Sequence, residues 1–174
     1  YIEWLKDTLE VGSCVGFDGW VFSTNTANEM ERNFNQKGLK ISKNLNLLNN
    51  IWEDRPLLSS NSAFNHELEF AGKSTLEKLT EVRAEMKKKN VDYYIISSLD
   101  DIAWLFNLRG NDVHNNPVVT SYALISMEKA SLFIDRKKVN KAVEKTLEDN
   151  KVGIKDYESI LLELESLDNS KRIL

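Results

Sequence analysis

Two β-rich runs, "VVTSYALIS" (Val118–Ser126) and "ASLFID" (Ala130–Asp135), are separated only by Met127-Glu128-Lys129. So short a connection predicts an antiparallel hairpin, because a parallel pairing needs a crossover of a dozen or more residues. The stretches on either side alternate between helical and strand patterns, which points to an α/β chain and not to an all-β one.

Upstream, Ser74-x-x-Glu77 forms a capping-box pattern, and Leu76, Leu79, Val82 and Met86 follow at helical spacing until Asn90, a left-handed stop. "VDYYIISS" is rich in β-branched and aromatic residues and reads as a buried strand. Ser98 and Asp101 are placed to cap a short helix through Phe106. Downstream of the hairpin, Asp135 is read as the cap of a helix carrying Val139, Val143 and Leu147. A strand at Val152 to Ile154, a helix from Ser159 to Leu167 and the start of a strand at "KRIL" complete this half.

The first third reads as a smaller α/β piece. An amphipathic helix (Trp4, Leu5, Leu9) leads to a strand at "SCVGFDG", a helix over Ala27 to Lys37, a strand at Leu39 to Ile41 and an apolar helix over Leu45 to Trp52. The following segment, with Pro56, Ser59, Ser60 and Ser62 and no periodicity, reads as a linker. "YIEWLKDTLEVGSCVGF" and "YESILLELESLDNSKRIL" share a pattern of tyrosine, amphipathic helix, serine turn and strand start, the mark of two related α/β copies.

A net charge of -4 argues against phosphate neutralisation, so no nucleic-acid partner is expected. Lys87 to Lys89 lie at a helix end, where cations complement the dipole. A single cysteine, Cys14, makes no internal disulfide, so cytoplasm is the expected compartment, with the thiol read as buried. Apolar runs are too short to span a bilayer, and no membrane partner is expected. The first residue is Tyr1, not Met, and the chain is read as a fragment without a secretory leader.

Asp100, Asp101, Asp112 and His114 contain metal-ligating types, but they are read instead as acids that cap a helix start and a loop histidine that is solvated or hydrogen-bonded. Ser97-Ser98 lacks a glycine-flanked nucleophile elbow, and the seven glycines never form a phosphate loop. Strand-end acids without a basic groove do not make a nuclease, and His66 reads as solvated beside Glu67 and Glu69. Trp4, Trp52 and Trp104 occupy apolar helix positions and are expected in cores, with Trp20 in a turn. Arg109 precedes a glycine in a loop closed by Pro117, so a fixed backbone can present its guanidinium either to an internal carboxylate or to an anion on a neighbour.

"IWEDRP" (Ile51 to Pro56), "LDDIAWLFNLRGNDVHNNPVVTSYALI" (Leu99 to Ile125) and "LFID" (Leu132 to Asp135) together resemble the three-domain, cytosolic Xaa-Pro aminopeptidases of creatinase type. The resemblance implies two creatinase N-terminal-like domains of ribonuclease-H-like shape, each a mixed sheet flanked by helices. Residues 1-54 would be the end of the first, 55-72 a linker and 73-174 most of the second. The catalytic "pita-bread" domain, in which two Asp, one His and two Glu hold two divalent metals, usually manganese, would be absent. The chain alone would then bind no cofactor, contain no metal ligand or catalytic residue, and be inactive. The complete enzyme would remove the N-terminal residue from short peptides with proline second, and could form a homodimer. The fragment is expected to be a monomer that meets its own catalytic domain. By the same resemblance Asn107, Arg109, Gly110 and Asp112 would line the substrate cleft, with Asp112 supporting Arg109. Trp104, Asn116 and Pro117 would shape the loop, while Asn111 and His114 fill variable positions. A stand-alone binding module with this fold and no peptidase is the alternative.

Overall fold

Residues 1–46 and 48–174 are described by a computed structural model and divide into two units, Tyr1–Leu57 and Leu58–Leu174. In the first, helix α1 (Ile2–Thr8) precedes strand β1 (Cys14–Gly16), helix α2 (Thr24–Gln36) and strand β2 (Lys40–Ser42). The Ser23 side chain accepts from Thr26 N and starts α2 before the expected Ala27. β1 and β2 pair in parallel from Cys14↔Lys40 to Gly16↔Ser42. Phe17, Met30, Phe34 and Leu39 form the core, with Leu5, Leu9 and Ile41 packed against it.

Three expectations for this unit change. Trp4 is 65% exposed, because α1 turns Leu5 and Leu9 inward instead. Cys14 is exposed at the start of β1, not buried. The helix read over Leu45 to Trp52 includes Leu47, which lies outside the described residues; of the rest, Leu48–Asn50 form a single 3-10 turn, and Ile51 and Trp52 are exposed. Asparagine explains the turn: Asn46 Oδ1 accepts from Asn49 N at 3.2 Å, a local bond that competes with helix.

The second unit begins inside the segment expected to be a linker. Strand β3 (Phe64–Asn65) and helix α3 (Leu68–Ala71) are formed there, and Ala63 is fully buried. Long-range bonds to the Ala63 backbone hold the segment: Ala63 N donates to Lys138 O at 2.9 Å, and the Asn140 side chain donates through Nδ2 to Ala63 O at 2.9 Å. These partners are more than seventy residues away, so side-chain periodicity gives no sign of them. Helix α4 (Thr75–Lys89) follows with both bonds of the Ser74/Glu77 capping box made, and ends at Asn90 in the left-handed region.

Strand β4 (Tyr93–Ile96), helix α5 (Leu99–Leu105) and strand β5 (Leu108–Arg109) lead to the hairpin strands β6 (Ser121–Ser126) and β7 (Ala130–Ile134). Ser126 Oγ accepts from Lys129 N at 2.9 Å and fixes the tight connection. Helix α6 (Lys141–Asp149), strand β8 (Val152–Asp156) and helix α7 (Ile160–Glu165) complete the unit. The main sheet has order β4-β6-β7-β8, antiparallel except for parallel β7 and β8. Beyond β4, Ile173 makes an isolated parallel bridge to Tyr93 in place of the strand start expected at "KRIL".

Alternation along β6 and β7 creates two layers. Ala123, Ile125, Leu132 and Ile134 meet Leu79 and Met86 of α4, Ile102 and Leu105 of α5, and Val143 and Leu147 of α6. Leu124 and Phe133 face the other way, toward Ile160. The fold is thus the expected mixed α/β sheet with helices on both faces. The cap after β7 differs from the reading: Asp135 accepts from Lys137 N and starts only a 3-10 turn, Arg136–Lys138. Val139 is extended, and Asn140, accepting from Ala142 N and Val143 N, caps α6.

Candidate functional site

The end of α5 organises the loop that carries the candidate residues. Its last-turn carbonyls lack the usual helical donors, and two cations take them. Lys78 Nζ, from α4, donates to Trp104 O at 2.8 Å; Arg109 Nη1 donates to Ala103 O at 2.5 Å and to Leu108 O at 3.0 Å. Positive charge at a helix C-terminus also complements the dipole.

Asn107 makes this arrangement possible. Its φ of 50° turns the chain out of α5 through the left-handed region, which asparagine tolerates. Its Oδ1 accepts from Lys78 Nζ at 2.5 Å, its Nδ2 donates to Lys73 O at 2.9 Å, and its carbonyl accepts from His66 N at 2.7 Å. Asn107 is therefore a buried junction of α4, α5 and the β3 segment, with both its amide oxygen and its amide nitrogen hydrogen-bonded inside the fold.

Lys78 is 2% exposed and bonds only to neutral oxygens, with its ammonium 4.8 Å from the centre of the Trp104 ring. Burial, reinforced by the charge of Arg109, lowers its pKa below the ordinary lysine value. Arg109 is also shifted down by burial. Trp104 is 46% exposed, contrary to the expectation of core packing. Its neighbours Ile102, Ala103, Leu105 and Phe106 anchor the helix and leave the indole at the surface.

Beyond Arg109 the backbone doubles back. Gly110 N donates to Pro117 O at 3.3 Å and Asp112 N to Val118 O at 3.2 Å, while Asn116 Nδ2 reaches Asp100 Oδ1 at 3.3 Å. Gly110 is required by proximity, since a Cβ there would lie 2.9 Å from Val119 Cβ and 3.0 Å from Val118 O. Pro117 and Asn116 thus close the loop and Gly110 lets its two arms touch.

Asp112 was expected to support Arg109, and it does not pair with it. Its side chain, 2% exposed, accepts through Oδ2 from Lys138 Nζ and from Thr120 N at 2.7 Å. The turn that Asp135 starts is what brings Lys138 inward. Burial works to raise the Asp112 pKa, but the Lys138 and Thr120 bonds hold it below the usual carboxylate value. Asp112 Oδ1 is buried with no hydrogen-bond partner among the described residues.

Asp101 and His114 are exposed and Asp112 is committed to Lys138, so the metal reading of Asp100, Asp101, Asp112 and His114 has no common centre. Among the described residues no three His, Cys, Asp or Glu side chains come together to hold a metal. The donor set of a dinuclear centre does not fit these residues.

Lys78 and Lys138 escaped the sequence reading. Lys78 had a signal: Thr75, Lys78, Leu79 and Met86 are the buried positions of α4, whereas Leu76 is exposed. A lysine on the inward stripe four residues before Val82 marks a buried cation. Lys138 had none, because its partner is set by the break after Asp135.

This sheet order and loop are accompanied by a direct sequence match: residues 54–174 fit the Creatinase/Prolidase N-terminal domain. The chain belongs to that family. This creatinase/prolidase N-terminal chain is 38% identical over 173 residues to a probable Xaa-Pro aminopeptidase P of Neurospora crassa, covering 98% of itself and 25% of the relative. It is 36% identical over 158 residues to aminopeptidase P1 of Lotus japonicus, covering 90% of itself and 24% of that protein. Among solved structures, the X-prolyl aminopeptidase of Caenorhabditis elegans, described as a cytosolic enzyme with a di-nuclear active site, matches with a TM-score of 0.85 and 29% identity. That match covers 94% of this chain and 27% of the other. The creatinase/prolidase N-terminal chain thus spans about a quarter of the length of the relatives it matches.

Proposed function

We propose that this chain is the non-catalytic N-terminal part of a Xaa-Pro aminopeptidase. The complete protein would hydrolyse the bond between the first residue of a peptide and a proline in second position, using two divalent metal ions, manganese by the family resemblance, held by residues outside 1–174. The observation that carries this reading is the match along 98% of the chain to a relative four times longer that bears that name. A cytoplasmic location agrees with the cytosolic relative, and among the described residues no helix is long and apolar enough to cross a membrane.

Within the complete protein, the Arg109 to Pro117 loop forms one wall of the cleft and restricts it to short peptides. Three features support a rigid wall: the Gly110–Pro117 contact, the buried Asp112–Lys138 pair and the two cations locking the end of α5. A preorganised wall raises rate by orienting substrate and excluding water. Of the residues proposed for the cleft, Arg109 is partly exposed; Asn107 and Asp112 act from behind it, and Gly110 through the backbone.

The test is turnover by the complete protein. It should release Xaa from Xaa-Pro-Yaa and not from Xaa-Ala-Yaa, and kcat/KM should fall about tenfold or more between a tripeptide and a decapeptide with the same first three residues. Equal turnover of both lengths would remove the size-limiting role, and no Xaa-Pro cleavage would remove the reading.

A further inference from the structure

We propose that Arg109 is the receptor for the C-terminal carboxylate of short peptide substrates, engaging it through the Nε and Nη2 edge of its guanidinium. The proposal rests on the reading that this loop faces the cleft.

The guanidinium is held before any ligand arrives. Nη1 is occupied by Ala103 O and Leu108 O, which fixes the plane. Among the described residues Nε and Nη2 make no hydrogen bond, and no carboxylate forms an ion pair with Arg109. The Nε–Nη2 edge is the one that binds both oxygens of a carboxylate side by side.

Charge balance points the same way. Lys78 lies close enough for the two charges to disfavour each other, and it too has only neutral acceptors. The nearby acids are committed: Glu81 to Lys73 at 2.5 Å, Glu77 to the Ser74 cap, and Asp112 to Lys138. Glu81 acts on Lys78 from a distance, but Arg109 is partly buried with no carboxylate beside it among the described residues, an arrangement that calls for an anion from outside.

The surroundings suit a peptide. In the β3–β5 pair Phe64 stands directly opposite Arg109, whereas Asn65 and Leu108 face the other way, Leu108 into the core. Phe64 is 44% exposed, and half-exposed Trp104 follows the residue whose carbonyl holds Nη1. The exposed Phe64 ring, cross-strand from Arg109, offers an apolar seat for the last side chain of a peptide whose terminus the arginine holds. Short peptides differ in sequence, but all carry one anion, the C-terminal carboxylate. A fixed receptor for that group reads the distance from the N-terminal bond, so size restriction arises from charge recognition as well as from walls.

The experiment measures kcat and KM of the complete protein for Xaa-Pro-Yaa as the free acid and as the C-terminal amide, in wild type, R109Q and R109K. Wild type should favour the acid by about tenfold or more, mainly through KM. R109Q should bring the acid-to-amide ratio down toward one, and R109K, which keeps charge without the fork, should fall between. A wild-type ratio near one overturns the assignment whatever the variants do. So does a wild-type preference that R109Q leaves intact, or a loss that R109Q imposes equally on acid and amide, which would leave Arg109 as wall alone. Absence of Xaa-Pro cleavage of either form by the wild type is the distinct failure of the underlying function.

Discussion

Asp112 shows how a residue chosen for one role serves another. Its Asp-x-His spacing suggests a ligand and the family motif a support for Arg109, yet the fold gives it Lys138, with both side chains 2% exposed. Removing one member of a buried pair leaves the other uncompensated, so Asp112→Ala should cost about 3–5 kcal/mol in urea unfolding. The pH dependence has a definite sign. The folded pKa lies below that of the unfolded chain, so the contribution is present in full above about pH 4, the unfolded value, and is lost as pH falls through the folded one. Asp112→Asn should therefore flatten the acid limb of the stability profile, and an unchanged limb would refute the pairing. None of this was legible locally, because the partner stands 26 residues away. The Ser74 cap was legible, since its bonds are made within three residues.

At the scale of elements, the readings that held rest on local chemistry: the capping box of α4, the hairpin of β6 and β7, and the β-branched run that makes β4 a strand, although of its residues only Ile96 is buried as expected. Those that failed rest on long-range backbone pairing or on asparagine. β3 has no pattern of its own and exists because β5 offers Leu108 and Arg109 as partners. The Leu45 to Trp52 stretch is apolar enough for a helix, yet Asn46 binds Asn49 N. The loop after β5 depends on Gly110 in a way that composition hints at but only geometry proves. Gly110→Ala would push a methyl group against Val119 and the Val118 carbonyl. It should lower stability by about 1–3 kcal/mol, read as a lower midpoint of thermal or urea unfolding. A variant as stable as wild type would mean that the loop arms have room to part.

For the whole molecule, the two units differ in the extent of their cores. Residues 58–174 enclose a layered core on both faces of a four-stranded sheet, whereas among the described residues of 1–57 four buried core residues surround two three-residue strands. The chain matches about a quarter of each of these relatives, and among the described residues no three His, Cys, Asp or Glu side chains gather to hold a metal. The most direct measurement is hydrolysis of an Xaa-Pro-Yaa tripeptide by the complete protein and by residues 1–174 alone, each supplied with manganese and followed by mass spectrometry. Release of Xaa by the complete protein and none by the 174-residue chain is the predicted result; an inert complete protein, or an active isolated chain, would contradict it.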